Sequence, residues 1–522
     1  MKNIFKYSLA LLFSTSFFFL GTGCKKILNP EPIGEQTLDV NFTTFNGSLS
    51  AVNGIYAQLT NGELYRNGNA LMSIDYASDD VQDAPKTVSS AYNLVDYFEL
   101  PADNIISFRL WDNFYRVIYR SNVVIERIPG VNFPTAFINN GTGRPFKDQF
   151  LGEAHFLRAF AYFNLVRIFG GVPLHTKEIK SATEVNIPRS SVEEVYAQIE
   201  KDLNEAVAKL PLSYNNTGDG NERGRVTRWS ALAMLADVYL TQRKFELAKT
   251  TALDVINNGA ANGISLNTNY RDNFFALNGG QENTRESLFE IQFSNTNFAA
   301  NQTAPQGNNF ANLMGPVNDI VGGVASLARY HPTDNNSLVP NESGFSGGLI
   351  QEYQTGDLRL NDNFILAQGG QGSNIYLTKK FYEPGRGTSG AGNYPVYRLA
   401  EVYLIYAEAT TELGEPDALS INLVNQLRRR AFGLPLTTPS VTVDVPSNVS
   451  QSAFRDIIRS ESRKEFAMEN KRWFNLLRYG FDYMQDVLVN KQKKTLFNRN
   501  KMLFPIAQIE LINNPLLVQN PL

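Results

Sequence analysis

The sequence predicts a mainly α protein: a helical superhelix built on tetratricopeptide-like helix pairs, with long irregular loops and a few short strands. Three observations lead there. Apolar residues recur every three or four positions in "LWDNFYRVIYRSNVVIERI" (110–128) and "KDQFLGEAHFLRAFAYFNLVRIFG" (147–170), which is the period of a helix. In "RWSALAMLADVYLTQRKFELAKTTALDVI", Leu232, Leu235, Ala236, Tyr239, Ala248 and Ala252 fall at tetratricopeptide spacing, departing in residue type only at the two ends. A looser copy runs through Tyr403, Tyr406, Ala407, Leu419 and Leu423.

Taken in order, the chain opens with Lys2 and Lys6, an apolar stretch from Leu9 to Leu20, then Gly21, Thr22 and Gly23. Charge, a short apolar run and small residues describe a secretory signal peptide, and the run is too short to span a bilayer. Cys24, the only cysteine among 522 residues, follows directly. Leu20-Gly21-Thr22-Gly23-Cys24 resembles a bacterial lipobox, which makes Cys24 the lipidation site and residues 1–23 a lipoprotein signal peptide. Two or more acyl chains hold a protein firmly to a membrane where one does not. Residues 24–46 read as a polar, turn-rich tether, and 47–522 as a single body.

Within that body, Ala51, Val52, Ile55, Tyr56 and Leu59 share a helical face, and residues 60–104 then lose the period. The long helix of 147–170 stops at Gly170-Gly171-Val172-Pro173, and a further helix covers roughly 191–210 up to Pro211. Tetratricopeptide-like helices are expected around 110–259 and 395–480. Between them lies an insert, about 261–391, whose first 50 positions hold 11 asparagines. "SLFEIQF" (287–293) is a strand within it. Loops of this length in a compact body are functional or disordered, and the embedded strand and aromatics favour function.

Composition narrows the function classes. A hydrophobic content of 43% suffices for a large core. The formal charge is −3, and without Lys2 and Lys6 the balance is 46 basic against 51 acidic residues, or −5. A nucleic-acid partner would call for a basic surface, so none is expected. With one cysteine, disulfides and thiolate metal sites are excluded. His155, His175 and His331 show no metal-ligand spacing, so neither a metal nor another cofactor is expected.

Several charged residues resemble chemistry. Glu461, Glu465, Glu469 and Arg472 recur at spacings of four, four and three, one stripe of a helix, with Arg463, Lys464 and Arg478 nearby. Two carboxyls about 5 to 9.5 Å apart across a sugar make a glycosidase. The stripe continues the face begun by Phe454 and Ile458, so a partly buried structural ion network is the preferred reading. Asp79-Asp80 suits helix capping or solvation better than a cation, since two adjacent acids fall short of the oxygens calcium takes. Trp111, Trp229 and Trp473 sit in helical blocks and are assigned to the core. No His-Glu-x-x-His occurs, and an enzyme is not expected.

Seven blocks in order are similar to the SusD/RagB family of outer-membrane nutrient-binding lipoproteins of Bacteroidetes-type bacteria. They are the lipobox at Cys24, "LWDNFYRVIYRSN", "FLRAFAYFNLVRIFGGVPL", "GRVTRWSALAMLADVYL", "YPVYRLAEVYLIYAEA", "ESRKEFAMENKRWFNLLRYG" and "LFPIAQIELINNPLLVQNPL". The resemblance implies a lipid anchor in the cell outer membrane, facing the cell surface. It also implies a glycan ligand and a SusC-like TonB-dependent outer-membrane transporter, over which the protein acts as a lid. Lys25 and Lys26 depart from the acidic residues often found after the cysteine in surface-exported lipoproteins. In the family, the regions around 61–100 and 261–355 flank the ligand face. With the tryptophans in the core, the expected contacts are Tyr65, Tyr92, Asn93, Tyr270 and Tyr330, chosen by position. A peptide or other polymer as ligand, and a tetratricopeptide-like envelope scaffold, are the alternatives; the aromatic, Asn-rich insert favours binding.

Overall fold

The computed structural model describes residues 42–522 apart from 67–69, 84–89, 134–137, 140–142, 215–223, 276, 278, 295–307, 309, 311–330, 336–344, 369–373 and 384–389. Cys24, the tether as far as residue 41, Tyr330 and much of the insert lie outside the described residues.

The first half of the described chain is built from α1 (Phe45–Leu59), α2 (Ala91–Asp96), α3 (Ile105–Arg127), α4 (Phe146–Phe169), α5 (Val192–Lys209), α6 (Arg228–Thr241) and α7 (Phe245–Ala260). Two short helices follow, α8 (Leu349–Glu352) and α9 (Arg359–Asn363). The C-terminal part holds α10 (Leu399–Leu413), α11 (Ala418–Ala431), α12 (Gln451–Glu465), α13 (Arg472–Tyr479), α14 (Phe481–Met484) and α15 (Gln508–Asn513). The mostly helical class expected from the sequence is what the chain adopts.

Local chemistry starts and stops the long helices. Asn104 Oδ1 accepts from the Ile106 N–H at 2.7 Å and caps α3. Ser191 and Glu194 form a reciprocal capping box at α5, with N–H to oxygen distances of 3.1 and 2.8 Å. Replacing Ser191 by alanine is expected to cost about 1 kcal/mol in chemical denaturation; an unchanged midpoint would show that the box contributes nothing. α4 is buried nearly all round, because it is the central layer between α3 and α5. It ends where Gly170 takes φ +77°. At Gly171 a Cβ would lie 2.2 Å from the Ser190 carbonyl oxygen, so the chain crossing there admits only glycine.

The repeat pattern becomes two helix pairs, α6 with α7 and α10 with α11, joined where α7 packs on α10. Ala236, Ala248, Ala252 and Ala407 are fully buried, and side chains that small let these helices approach closely. Eight short strands form four antiparallel two-stranded ladders among the described residues. They are β1 (Val81–Gln82) with β5 (His331–Pro332), β2 (Ile138–Asn139) with β3 (Arg144–Pro145), β4 (Ser287–Ile291) with β8 (Tyr394–Arg398), and β6 (Phe364–Gln368) with β7 (Asn374–Thr378). β4 realises the strand expected at 287–293, two residues shorter, and sets Phe289 opposite Tyr397. No helix of the described residues is long and apolar enough to cross a membrane.

Candidate functional site

The two irregular stretches that the sequence separates by some two hundred residues meet in space. Val81 stands opposite Pro332 and Gln82 opposite His331 in the β1–β5 ladder. Thr333 extends the junction: its N–H donates to the Asp80 carbonyl at 2.9 Å and its hydroxyl to the Asp79 carbonyl at 2.7 Å. Lys494 holds the segment from behind, its ammonium donating to the carbonyls of Tyr76 (2.8 Å) and Ser78 (2.6 Å) and pairing with Asp96 at 2.7 Å. Just after β1, the Asp83 carboxylate accepts from Ser90 Oγ at 2.6 Å and Asn93 Nδ2 at 2.5 Å, which ties α2 to the ladder.

The expected contact residues divide under this geometry. Tyr92 is half-buried, its ring 5.5 Å from that of Tyr76. Asn93 is buried on Asp83. Tyr65 and Tyr270 are each only 2% exposed, so neither ring offers a face to a ligand. Tyr65 lies 5.4 Å from the Tyr394 ring, and burial raises its hydroxyl pKa well above the ordinary phenol value. The Tyr270 hydroxyl sits 2.9 Å from Asn363 Oδ1 and 3.1 Å from the Glu465 carbonyl, inside the ion network rather than on a ligand face. These two placements correct the positional choice. A tyrosine in an aperiodic stretch looks free in sequence, whereas its burial depends on what the stretch packs against.

The acidic stripe is also rearranged. α12 ends at Glu465, and the chain then turns through Met468 and Asn470, both at positive φ (66° and 56°), before α13 begins at Arg472. Glu461, Glu465, Glu469 and Arg472 therefore do not share one helix. All four are buried nonetheless, with exposures of 1%, 0%, 3% and 4%. Glu465 Oε1 lies 2.9 Å from Arg398 and 2.6 Å from Arg430, and Oε2 lies 3.2 Å from Arg359. Burial alone would raise its pKa, but the Arg430, Arg398 and Arg359 guanidiniums outweigh that and hold it at about 2. Glu461 takes Arg359 at 2.6 Å, and Glu469 takes Arg398 and Lys380, each at 2.9 Å. Burial pulls the Lys380 ammonium pKa down to about 8 despite the Glu469 contact.

Arg472 turns away to Asp79, at 2.7 Å, while Arg463 reaches Asp80 at 2.7 Å. Asp79 and Asp80 are therefore neither caps nor solvated, being 1% and 2% exposed. Two arginines from α12 and α13 compensate the buried acids, and they also pin the β1–β5 ladder to the helical body. Among the described residues, no group of three or more His, Cys, Asp or Glu side chains is placed to hold a metal. Trp229 and Trp473 are core residues, and Trp111, 4% exposed, borders a surface groove. Gly344-Phe345-Ser346-Gly347-Gly348 fits the Gly-x-Ser-x-Gly spacing of a nucleophile elbow. A nucleophile elbow needs a strand–turn–helix setting, whereas residues 345–348 are irregular and the Ser346 N–H donates to the Lys491 carbonyl at 2.9 Å.

A helical-repeat body with an irregular face pinned to it by buried ion pairs defines a class of protein, and comparison with known proteins names its family. The family described as "SusD family" matches residues 239–522, more than half of the chain, and "Starch-binding associating with outer membrane" matches 39–240. The chain belongs to the SusD family. SusD-like protein P38 of Formosa agariphila is 28% identical, with 100% of this chain and 99% of the relative covered. Among solved structures, a laminarin-binding SusD-like protein superposes with a TM-score of 0.70 at 24% identity, covering 91% of this chain and 98% of the other. Surface glycan-binding protein A of Bacteroides fluxus gives a TM-score of 0.72 at 21% identity, covering 92% and 99%.

Proposed function

We propose that this protein is a lipid-anchored outer-membrane binding protein that captures oligo- or polysaccharide. It passes the glycan to a TonB-dependent transporter, over which it acts as a lid. The observation that carries the reading is the family match along the chain, joined to the meeting of the two irregular stretches at the β1–β5 ladder. Relatives of the same fold that bind laminarin or surface glycans support a sugar as the ligand class. Sugars present C–H faces that suit aromatic rings, and hydroxyls that suit amides and carboxylates. The half-buried Tyr92 supplies such a ring beside β1, and Tyr330 directly precedes β5 in the chain. The role is binding rather than catalysis. The carboxylates that resemble a glycosidase pair, Glu461 and Glu465, are buried and held by arginines, out of reach of a sugar.

Calorimetric titration of the mature protein against a panel of oligosaccharides tests the reading, with circular dichroism as the folding control. Each stacking ring is worth about 1 kcal/mol beyond its buried area, and about 1.4 kcal/mol corresponds to a decade of affinity. The double substitution Tyr92→Ala and Tyr330→Ala should therefore weaken binding roughly tenfold or more. A glycan bound equally well by the folded double variant would place the ligand face elsewhere. Binding of peptides, with no glycan bound by the intact protein, would overturn the sugar assignment.

A further inference from the structure

A second concave site lies away from the β1–β5 ladder, where α3, the chain after α4 and the C-terminal α15 come together. It is a groove of about 190 Å³, open to solvent and smaller than the roughly 300–1,000 Å³ of drug-sized sites, which suits a single small group. One wall is a stripe of α3: Trp111, Tyr115 and Tyr119 follow one another at intervals of four and so share a helix face. The Trp111 and Tyr115 ring centroids are 5.0 Å apart, and the Tyr115 hydroxyl is fixed by donation to the Pro173 carbonyl at 2.8 Å. His175 closes the far side, edge-on to Tyr115 at 6.1 Å. Tyr119, 37% exposed, forms the outer lip.

Two carboxylates enter the same groove, Asp112 from α3 and Glu510 from α15. Asp112 is paired at 2.8 Å with Arg116, whose side chain is 60% exposed. Glu510 is half-buried, and among the described residues no lysine or arginine forms an ion pair with it. Burial raises its pKa above the ordinary carboxylate value, and the neighbouring Asp112 charge adds to that. Burial meanwhile lowers the His175 pKa, so the imidazole is neutral at pH 7 and supplies no compensating charge. A half-buried carboxylate without a counter-ion, walled by aromatic rings, is a site lacking a positive charge. Aromatic faces attract ammonium and guanidinium groups, most strongly where water is partly excluded.

We propose that the groove between α3 and α15 binds a ligand carrying a primary ammonium group, held by the Glu510 carboxylate against the Tyr115 and Tyr119 rings. The group is supplied either by an amino sugar or by a lysine side chain, and the two sources are separable by experiment. Tryptophan fluorescence of the mature protein reports directly, since Trp111 borders the groove while Trp229 and Trp473 are buried elsewhere. Titration with glucosamine and with N-acetyl-lysine methylamide is expected to give a saturable change for at least one, and the better binder identifies the source. N-acetylglucosamine, which lacks the charge, should bind at least tenfold more weakly than glucosamine. Glu510→Gln should weaken ammonium binding at least tenfold while circular dichroism stays unchanged. Tyr119→Ala, at an exposed position, should weaken it several-fold by calorimetry even if the Glu510 variant folds poorly. Equal binding of the charged and acetylated sugars, unchanged affinity in Glu510→Gln, or no saturation by either ammonium probe would overturn the proposal.

Discussion

Glu465→Ala is expected to lower the unfolding free energy by about 3 to 5 kcal/mol, the usual loss when one partner of a buried ion network is removed. Three arginines converge on that carboxylate, and each is at most 2% exposed. Arg359 keeps Asp357 and Glu461, and Arg398 keeps Glu286 and Glu469, but Arg430 is left with Glu286 alone among these ion pairs. The variant therefore holds excess positive charge where water cannot solvate it. Guanidinium denaturation reads the effect as a lower midpoint. A variant that unfolds like the wild type and loses only ligand binding would refute the structural role.

The same carboxylate makes a pH prediction with a definite sign. Its folded pKa of about 2 lies below its ordinary value of 4.5. It therefore contributes stability that is complete above about pH 4.5 and is lost as the pH falls through 2. At 1.36 kcal/mol per pKa unit the contribution is on the order of 3 kcal/mol. Glu282 works in the opposite direction: burial, reinforced by Glu290, raises it to about 7. That group costs stability above pH 7, and the cost fades as the pH falls towards 4.5. Subtracting the Glu465→Gln stability curve from the wild-type curve isolates the Glu465 contribution. A difference that stays flat between pH 5 and 2 would contradict the low pKa.

Cys24→Ala is expected to act on an all-or-none scale, by releasing the mature protein from the membrane fraction and abolishing incorporation of labelled fatty acid. The reason is that the lipobox-like stretch Leu20–Cys24 holds the only cysteine in the sequence, the residue proposed to carry the lipid. Multiple acyl chains bind a bilayer firmly, each buried CH₂ contributing about 0.8 kcal/mol, and without them little attachment should survive. Fractionation at high salt distinguishes the outcomes. Persistent, salt-resistant attachment of the variant would demand another anchor. Because the proposed ligand face lies in the folded body, glycan affinity in solution should be unaltered by this substitution.

Much of the scaffold was legible because helical periodicity is a relation among residues three and four positions apart. The expected spans 110–128, 147–170 and 191–210 appear as Ile105–Arg127, Phe146–Phe169 and Val192–Lys209. Tetratricopeptide spacing worked for the same reason: buried Ala236, Ala248 and Ala252 report a helix pair from inside one short segment. Local pattern failed where the chain turned within it. The acids from Glu461 to Glu469 keep helical spacing across a helix that stops at Glu465, and the left-handed backbone of Met468 and Asn470 ends the stripe.

What each charge or ring meets was decided only by the tertiary structure. Tyr65 and Tyr92 occur in equally aperiodic sequence, yet one is sealed against Tyr394 and the other keeps a partly open face on Tyr76. Asp79 looks like a solvated acid until Arg472, 393 residues away, is folded against it. Trp111 and Glu510 come from distant parts of the chain to line one groove. The physical reason is one of range. Backbone period and capping are settled by neighbours a single turn away, and so they are written in the local sequence. Burial and ion pairing depend on which distant segments exclude water from a given side chain, and no spacing within one segment encodes that.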